Sequence, residues 1–533
     1  MLTAAERRFT ARERVAPSRV DWAVIALFGI IAIGFVVRLL VGLLKPLDGD
    51  EAAEGIAAIN ILHGQLPIVE SGGHYLGAVE SYVMAPFIAI FGPTTFAIRF
   101  ALSVVGAAYV LTMYALGRHL FTRQSAALTM AAIAALFPFF EVAYGVRGRT
   151  YGILALSVAL CLLLAIRVAW STRRRWYEWA LFGLAAGLGL WNHSLLAMTL
   201  AICALMLGLH LWRAGIGAAD LRGIGIALIG AAIGFGPWLG YNVVTHLGSL
   251  ASLQQASQHL PIRHAVRDVV GIAIPIFLGA EGIGDCGRST VPWQLADVAL
   301  LAMIAATIWL RRRSVLALIQ LRWTRLAPID FVLLVLPLSL LSVTVGPFNG
   351  ASCEPRYLMP AAIPMVAIVA LATVTRWRAR SLAIAGTAAW IGMTAVTASS
   401  ALADVGVFPF FDYPTRVDFT RAIAGLEQER SGPMWANYWL ARPLQYLSAE
   451  RLPVGEYGGY AGFPSLQAVP RTAPRPSWVF VQTDPERLTF ESACAARGIT
   501  YDRVSLNGLI LYDHLTGRIT PEDLGWSTTI NLS

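Results

Sequence analysis

The chain has 533 residues, 56% hydrophobic and only 14% charged, with a formal net charge of +9 at pH 7. Soluble globular proteins carry roughly 25% charged residues, so this composition excludes a chain solvated by water alone. The excess of basic residues falls in short clusters between apolar runs rather than on one basic face, which excludes a nucleic-acid partner and reads as a topology signal.

Residues 1–21 form a cytoplasmic tail with Arg7, Arg8, Arg12, Arg14 and Arg19 ahead of the first span. Across 22–403, apolar stretches long enough to cross about 30 Å of hydrocarbon recur, about eleven in all. Every second connection is rich in arginine: Arg118 and Arg123; Arg173, Arg174 and Arg175; Arg213 and Arg222; Arg311, Arg312 and Arg313 with Arg322 and Arg325; and Arg376, Arg378 and Arg380. The positive-inside rule places these in the cytoplasm. The alternate, outside connections hold Asp48, Asp50, Glu51, Glu54, His74 and Glu80, then Glu141, Arg147 and Arg149, then 246–293, then 349–356. Arg147, Arg149 and Arg356 sit close to span ends on the side where arginine should be scarce, so each calls for a reason. The first apolar run is too long, and too far from a small-residue cleavage site, for a removable signal peptide.

At 404 the composition turns mixed, with turn clusters at 453–462 and 470–476 and no run able to span. The spacing predicts a helix over 416–429, a strand over 478–482, a helix over 486–497 and a strand over 504–512. The expected architecture is a polytopic α-helical protein of the cell (plasma) membrane. Its N-terminus is cytoplasmic, its transmembrane catalytic domain spans 22–403, and an extracytoplasmic α/β domain spans 404–533.

The first outside loop, 45–94, concentrates the acids. Asp48, Asp50 and Glu51 follow the first span directly, and Glu80 comes about thirty positions later, across a helical period at 54–62 that should lie along the membrane surface and fold the second acid back. A single acid outside a span is ordinarily just solvated. Three acids within four residues, facing a later acid and outside arginines, point to a site.

These features occur in an order that resembles a family. The Asp50-Glu51 pair after the first helix, Glu80 near a Tyr and a Gly, Phe91-Gly92, Arg99, Arg149-Thr150-Tyr151-Gly152, Trp191-Asn192-His193, Pro237-Trp238 with Asn242, and Arg356-Tyr357-Leu358-Met359-Pro360 together cover about 22–380. The set resembles the GT-C glycosyltransferases related to protein O-mannosyltransferases and lipid A aminoarabinose transferases. The resemblance implies a GT-C fold, a first-loop aspartate as catalytic residue, a sugar on a polyprenyl phosphate as donor, and transfer outside the membrane. It also implies substrate contacts from Arg149, Tyr151, His193, Arg356 and Tyr357. At one point the chain departs from the pattern. Aminoarabinose transferases place a lysine after the second acid, whereas Ser81 stands here, so their substrate and phosphate contacts do not carry over at this position.

The chemistry of such a transfer fits the residues independently. A sugar leaving a phosphate passes through an oxocarbenium-like state, so the acceptor hydroxyl needs a base and the leaving phosphate needs positive charge. Asp50 is the expected base, supported by Glu51 and Glu80, and Arg149 and Arg356 are the expected phosphate partners. Alternatively, Asp48, Asp50 and Glu80 hold a divalent metal cation through oxygen ligands. Both readings stay open on the sequence.

Other residues read as structural. His193 could orient an acid or bind metal, but a lone helix histidine is more often a hydrogen-bonded packing residue; Asn242 is more often a helix-terminal cap than a ligand; and the aromatic cluster at 435–439 could contact sugar or acceptor but is more often core. Of five cysteines, Cys161 and Cys203 fall inside spans, Cys286 and Cys353 lie in outside loops where a disulfide can form, and Cys494 has no evident partner. The partners implied are a polyprenyl-phosphate-linked sugar, an acceptor hydroxyl on lipid, glycan or protein, and the bilayer. Two rivals stand beside the transferase: a transporter or flippase of lipid-linked saccharides, for which charges at the bilayer midplane and repeated halves would be expected, and a non-catalytic membrane assembly factor.

Overall fold

The computed structural model describes residues 22–278 apart from 72, 172–174 and 258, part of 302–349, and then 355–374, 406–408, 415–458 and 463–528. The first helix, α1 (Trp22–Leu43), has 22 residues and crosses about 33 Å at 1.5 Å per residue. The first loop then builds α2 (Gly49–Leu62), the antiparallel hairpin β1 (Val69–Glu70) with β2 (Gly73–Gly77), and α3 (Val79–Phe91). Next come α4 (Thr95–Leu120), α5 (Gln124–Leu136), α6 (Phe139–Tyr144), α7 (Tyr151–Trp170), α8 (Trp176–Asn192), α9 (Leu196–Ala214), α10 (Ala218–Val244), α11 (Pro328–Val345) and α12 (Ala362–Val374). Among the described residues, six helices are long and apolar enough to cross a membrane: α1, α4, α7, α9, α10 and α11. The protein is an integral membrane protein.

Burial separates the helices by role. Helix α7 is buried along most of its length, while α10 exposes Leu228, Ile229, Ile233, Val243 and Val244 on its outer face, as a helix bordering lipid does. Helices α8 and α10 approach backbone to backbone: a Cβ on Gly183 would stand 1.9 Å from the Ala227 carbonyl oxygen. Small residues permit such contact where the hydrophobic effect does not drive helices together. The expected total of about eleven spans draws partly on 279–301 and 375–403, which lie outside the described residues, as do Cys286 and Cys353 and the bridge expected between them.

The C-terminal part contains a five-stranded sheet, built from β5 to β9. After the short pair β3 (Val407–Phe408) and β4 (Thr415–Arg416) come α13 (Phe419–Gln428), β5 (Met434–Asn437), α14 (Tyr438–Leu447), β6 (Val454–Tyr457), α15 (Pro464–Thr472), β7 (Ser477–Val481), α16 (Glu486–Ala496), β8 (Asp502–Leu506) and β9 (Leu509–Asp513). The strand order is β6-β5-β7-β9-β8. β5 runs parallel to both β6 and β7, while β9 is antiparallel to β7 and β8. The strand expected over 504–512 is therefore a hairpin of two. Asn507 and Gly508, at φ 49° and 98°, supply the left-handed residues that a tight turn between twisted strands requires.

One contact joins the two parts. The helical period expected at 54–62 belongs to α2. Ala52, Ala53, Ile56, Ala57 and Ala58 are all buried, and Asp50 is the partly exposed acid of its first turn. Helix α14 packs on it so closely that a Cβ on Gly55 would meet the Tyr446 ring at 2.6 Å. The Tyr446 hydroxyl also donates to the Thr94 carbonyl at 3.2 Å.

Candidate active site

Asp48 and Glu51 open α2 as a capping box. Asp48 Oδ1 accepts from the Glu51 amide at 3.0 Å, and Glu51 Oε2 accepts from the Asp48 amide at 3.0 Å. Both carboxylates are buried and both are further bound by arginine. Arg99 donates from Nη1 and Nη2 to the two oxygens of Glu51, each at 2.9 Å, and Arg147 Nε reaches Glu51 at 3.0 Å. Asp48 accepts from Arg147 and from Arg149 Nη2, the latter at 2.5 Å. Burial alone would raise the Asp48 carboxyl, but the Arg149 and Arg147 guanidiniums outweigh it and hold this acid well below the usual carboxylate range.

Asp50 lies between these two residues in sequence and differs from both. Its side chain keeps 34% of its exposure. The Tyr438 hydroxyl donates to its Oδ1 at 2.6 Å, and Arg149 Nη1 stands 3.5 Å from its Oδ2. Arg149 therefore spans Asp48 and Asp50, steadied by a bond from Nη1 to the Tyr144 hydroxyl at 3.0 Å. The residue after it, Thr150, starts α7 at φ +68°, a conformation that costs a β-branched residue energy and recurs where a site dictates the backbone.

A second group of acids lies close by. Glu54 accepts from the Ser81 hydroxyl. Glu54, Glu70 and Glu80 are each raised above the ordinary carboxylate range, first by burial. Glu54 adds its charge to the shifts of Glu70 and Glu80. Neither oxygen of Glu80 reaches a partner at bonding geometry, although the Thr150 and Arg149 backbones are near enough to oppose its shift.

The family model for dolichyl-phosphate-mannose-protein mannosyltransferase matches residues 77–241. No curated protein sequence matches the chain. Among solved structures, ArnT from Cupriavidus metallidurans in the apo state aligns with a TM-score of 0.58 at 12% identity, over 92% of this chain and 98% of that one. The same protein bound to undecaprenyl phosphate aligns with a TM-score of 0.52 at 13% identity, over 97% of this chain and 99% of that one. The chain shares its fold with this ArnT.

On this frame the residues expected at the site divide into two groups. Asp48, Asp50, Glu51 and Arg149 meet around the start of α2, with Glu80 buried at the first turn of α3. Tyr151, His193, Arg356 and Tyr357 form a second group. The Tyr151 ring lies 5.1 Å from the His193 ring and 6.3 Å from that of Tyr357, and the Arg356 guanidinium sits 5.4 Å from the Tyr357 ring centre. Tyr144 links the groups, its ring 5.6 Å from Tyr151. His193 is buried, with its Nδ1 3.1 Å from the Leu195 amide, as a packing residue would be. Asn242 accepts from the Ser249 amide at 3.2 Å and so fastens a turn at the end of α10.

The metal alternative does not find its ligand set. Among the described residues no three His, Cys, Asp or Glu side chains come together to hold a cation, so Asp48, Asp50 and Glu80 are not assembled as expected. Two guanidiniums occupy the oxygens of Asp48 instead.

Three residues at this candidate site were not foreseen. Glu70 sits at the hairpin, where a lone acid gives no signal. Tyr438 and Trp439 lie in an aromatic cluster read as core. That reading fits Trp435, which is 1% exposed, but the next helix turns Tyr438 onto Asp50 and Trp439 to 5.9 Å from the Arg149 guanidinium.

Proposed function

We propose that the protein is a glycosyltransferase that moves a sugar from a polyprenyl-phosphate donor to an acceptor hydroxyl on the extracytoplasmic side, with Asp50 as the base. The isolation of Asp50 carries this reading. Asp48 and Glu51 are tied to arginine, Glu54 and Glu80 are buried, and Asp50 keeps a partly exposed carboxylate held between a tyrosine hydroxyl and a guanidinium. The acceptor O–H gives its proton to Asp50 as its oxygen bonds to the anomeric carbon. The bond from that carbon to the phosphate oxygen breaks, and its electron pair leaves on the polyprenyl phosphate. Arg149, one edge on Asp48 and the other toward Asp50, and Arg356 beside Tyr357 supply positive charge for the leaving group. Ser81 is engaged by Glu54, so the phosphate contacts fall to arginine. The undecaprenyl phosphate bound by a protein of the same fold supports a lipid donor of this class.

The test is turnover by purified protein in lipid nanodiscs. Radiolabelled undecaprenyl-phosphate mannose, arabinose and 4-amino-arabinose serve as donors and total membrane lipid as the acceptor source, with and without chelator. Asp50→Asn keeps the shape of the side chain and removes the proton acceptor, so transfer should fall about 10²–10⁴-fold at unchanged folding. An Asn variant that transfers like the wild type ends the assignment, and loss of wild-type turnover on chelation moves the mechanism to a metal.

A further inference from the structure

The catalytic aspartate belongs to the first loop, yet its shortest hydrogen bond comes from the C-terminal domain, 388 residues away in sequence. We infer that Tyr438 is a positioning residue for Asp50, so that the C-terminal domain completes the active site rather than accompanying it. The inference rests on Asp50 being the base and adds what orients it.

Tyr438 is 3% exposed and its hydroxyl is 2.6 Å from Asp50 Oδ1. Burial, first, raises this hydroxyl well above its ordinary range, which keeps it a donor. A carboxylate at the mouth of a cavity rotates freely about its last bond unless both oxygens are engaged. Here Tyr438 takes Oδ1 and Arg149 faces Oδ2, which fixes the plane of the group and the direction of its lone pairs.

The tyrosine is itself held from behind. The Arg442 guanidinium lies 4.3 Å from the centre of its ring. Arg442 is fully buried and bound by Glu456 of β6 at 2.7 Å and 3.2 Å, and its Nη1 donates to Ser71 of the first-loop hairpin at 3.1 Å. Asn437 accepts from the Trp439 amide at 3.1 Å and so caps the helix that presents these side chains. Four residues of one helix thus face the first loop: Tyr438 meets Asp50, Trp439 lies by Arg149, Arg442 meets Ser71 and Tyr446 covers Gly55. Such convergence on the reactive carboxylate exceeds what docking alone requires, since Tyr446 and its apolar neighbours already bury the contact.

The experiment compares wild type, Tyr438→Phe, Tyr438→His, Asp50→Asn and Tyr457→Phe in the nanodisc assay, using whichever labelled undecaprenyl-phosphate sugar turns over. Thermal unfolding and binding of undecaprenyl phosphate are measured alongside. Tyr438→Phe should lower kcat about 10- to 100-fold, the loss expected for one hydrogen bond to a charged group. KM for the donor, undecaprenyl phosphate affinity and unfolding temperature should stay within about twofold or a few degrees. Tyr438→His, whose ring N–H can donate, should recover part of kcat. Tyr457→Phe removes a hydroxyl of β6 bonded to Glu486 of α16, in the same domain, and should leave kcat unchanged. A Tyr438→Phe enzyme with wild-type kcat, or one whose kcat falls only together with its unfolding temperature, overturns the inference. If Asp50→Asn also transfers normally, the base assignment fails with it; if Asp50→Asn is inactive, only the role of Tyr438 falls.

Discussion

Asp48, Asp50 and Glu51 carry the same functional group within four residues, and their surroundings give them different tasks. Glu51 is 0% and Arg99 1% exposed, so each charge depends on the other for solvation. Removing one partner of such a pair leaves an uncompensated charge, at a cost of about 3–5 kcal/mol. Glu51→Gln should therefore lower the unfolding temperature and the yield of folded protein before any effect on chemistry is read, whereas Asp50→Asn should unfold like the wild type. Thermal scans of both variants in the same detergent separate the two roles. In the C-terminal domain, burial pushes the Asp484 carboxyl up to about 7, against the bond it accepts from the Glu486 amide at 2.9 Å. The folded form thus binds this proton more tightly than the unfolded chain, and Asp484 costs stability as pH rises from about 4 to about 7. Asp484→Asn keeps the acceptor and removes the ionisation, so unfolding temperatures should rise above those of the wild type at pH 7 and higher and converge near pH 4. Equal temperatures at pH 8 would contradict this. At the second group of site residues, Arg356→Gln should weaken undecaprenyl phosphate binding, and Arg356→Lys should restore it only in part because the planar fork is lost. Unaltered binding by the Gln variant would count against a phosphate contact there.

Helix α14 shows where sequence reading reaches its limit. The spans were legible because long apolar runs have few alternative fates, and α13, β7 and α16 followed from their periods. The Asn507-Gly508 turn was also written in the chain, but an apolar run on both sides concealed it as one strand. Tyr438 was illegible for another reason: nothing local distinguishes an aromatic residue that fills a core from one that crosses a domain boundary to a carboxylate 388 positions earlier. The same holds for Arg38 and Arg99, whose acids lie 103 and 48 residues away. Acid clusters mark a site, and only the fold says which acid is left open. The docking of α14 can be tested through Gly55. Any side chain there collides with the buried Tyr446 ring, and overpacking of this kind costs about 1–3 kcal/mol. Gly55→Leu should make the C-terminal domain easier to release by limited proteolysis and lower transfer, while undecaprenyl phosphate still binds. A protease pattern identical to that of the wild type would show that the contact yields without undocking.

For the whole molecule, the arginine-rich connections predict that the first loop and the C-terminal domain lie on the same, outer side. A cysteine at exposed Ser465 should react with an impermeant thiol reagent in intact cells, and one at Ser171 only after the membrane is opened. The reverse pattern would turn the reaction to the cytoplasm. The contact between Arg38 of α1 and Glu141 of α6 bears on how the protein is made. Arg38 is 1% exposed and its Nη2 donates to Glu141 at 2.6 Å and to the Ala134 carbonyl at 2.9 Å, while Nη1 donates to the Ala135 carbonyl, but Glu141 is 103 residues further along the chain. At a synthesis rate of about 5–20 residues per second, Arg38 enters the bilayer about 5–20 seconds before its acid exists. A lone arginine in a helix centre costs about 2.5–3.5 kcal/mol on insertion scales, less near an end from which the side chain can reach the headgroups. Arg38 lies close to the C-terminal end of a helix otherwise free of charge, so the nascent span can wait at the translocon with this side chain among lipid phosphates until the later helices arrive to replace them.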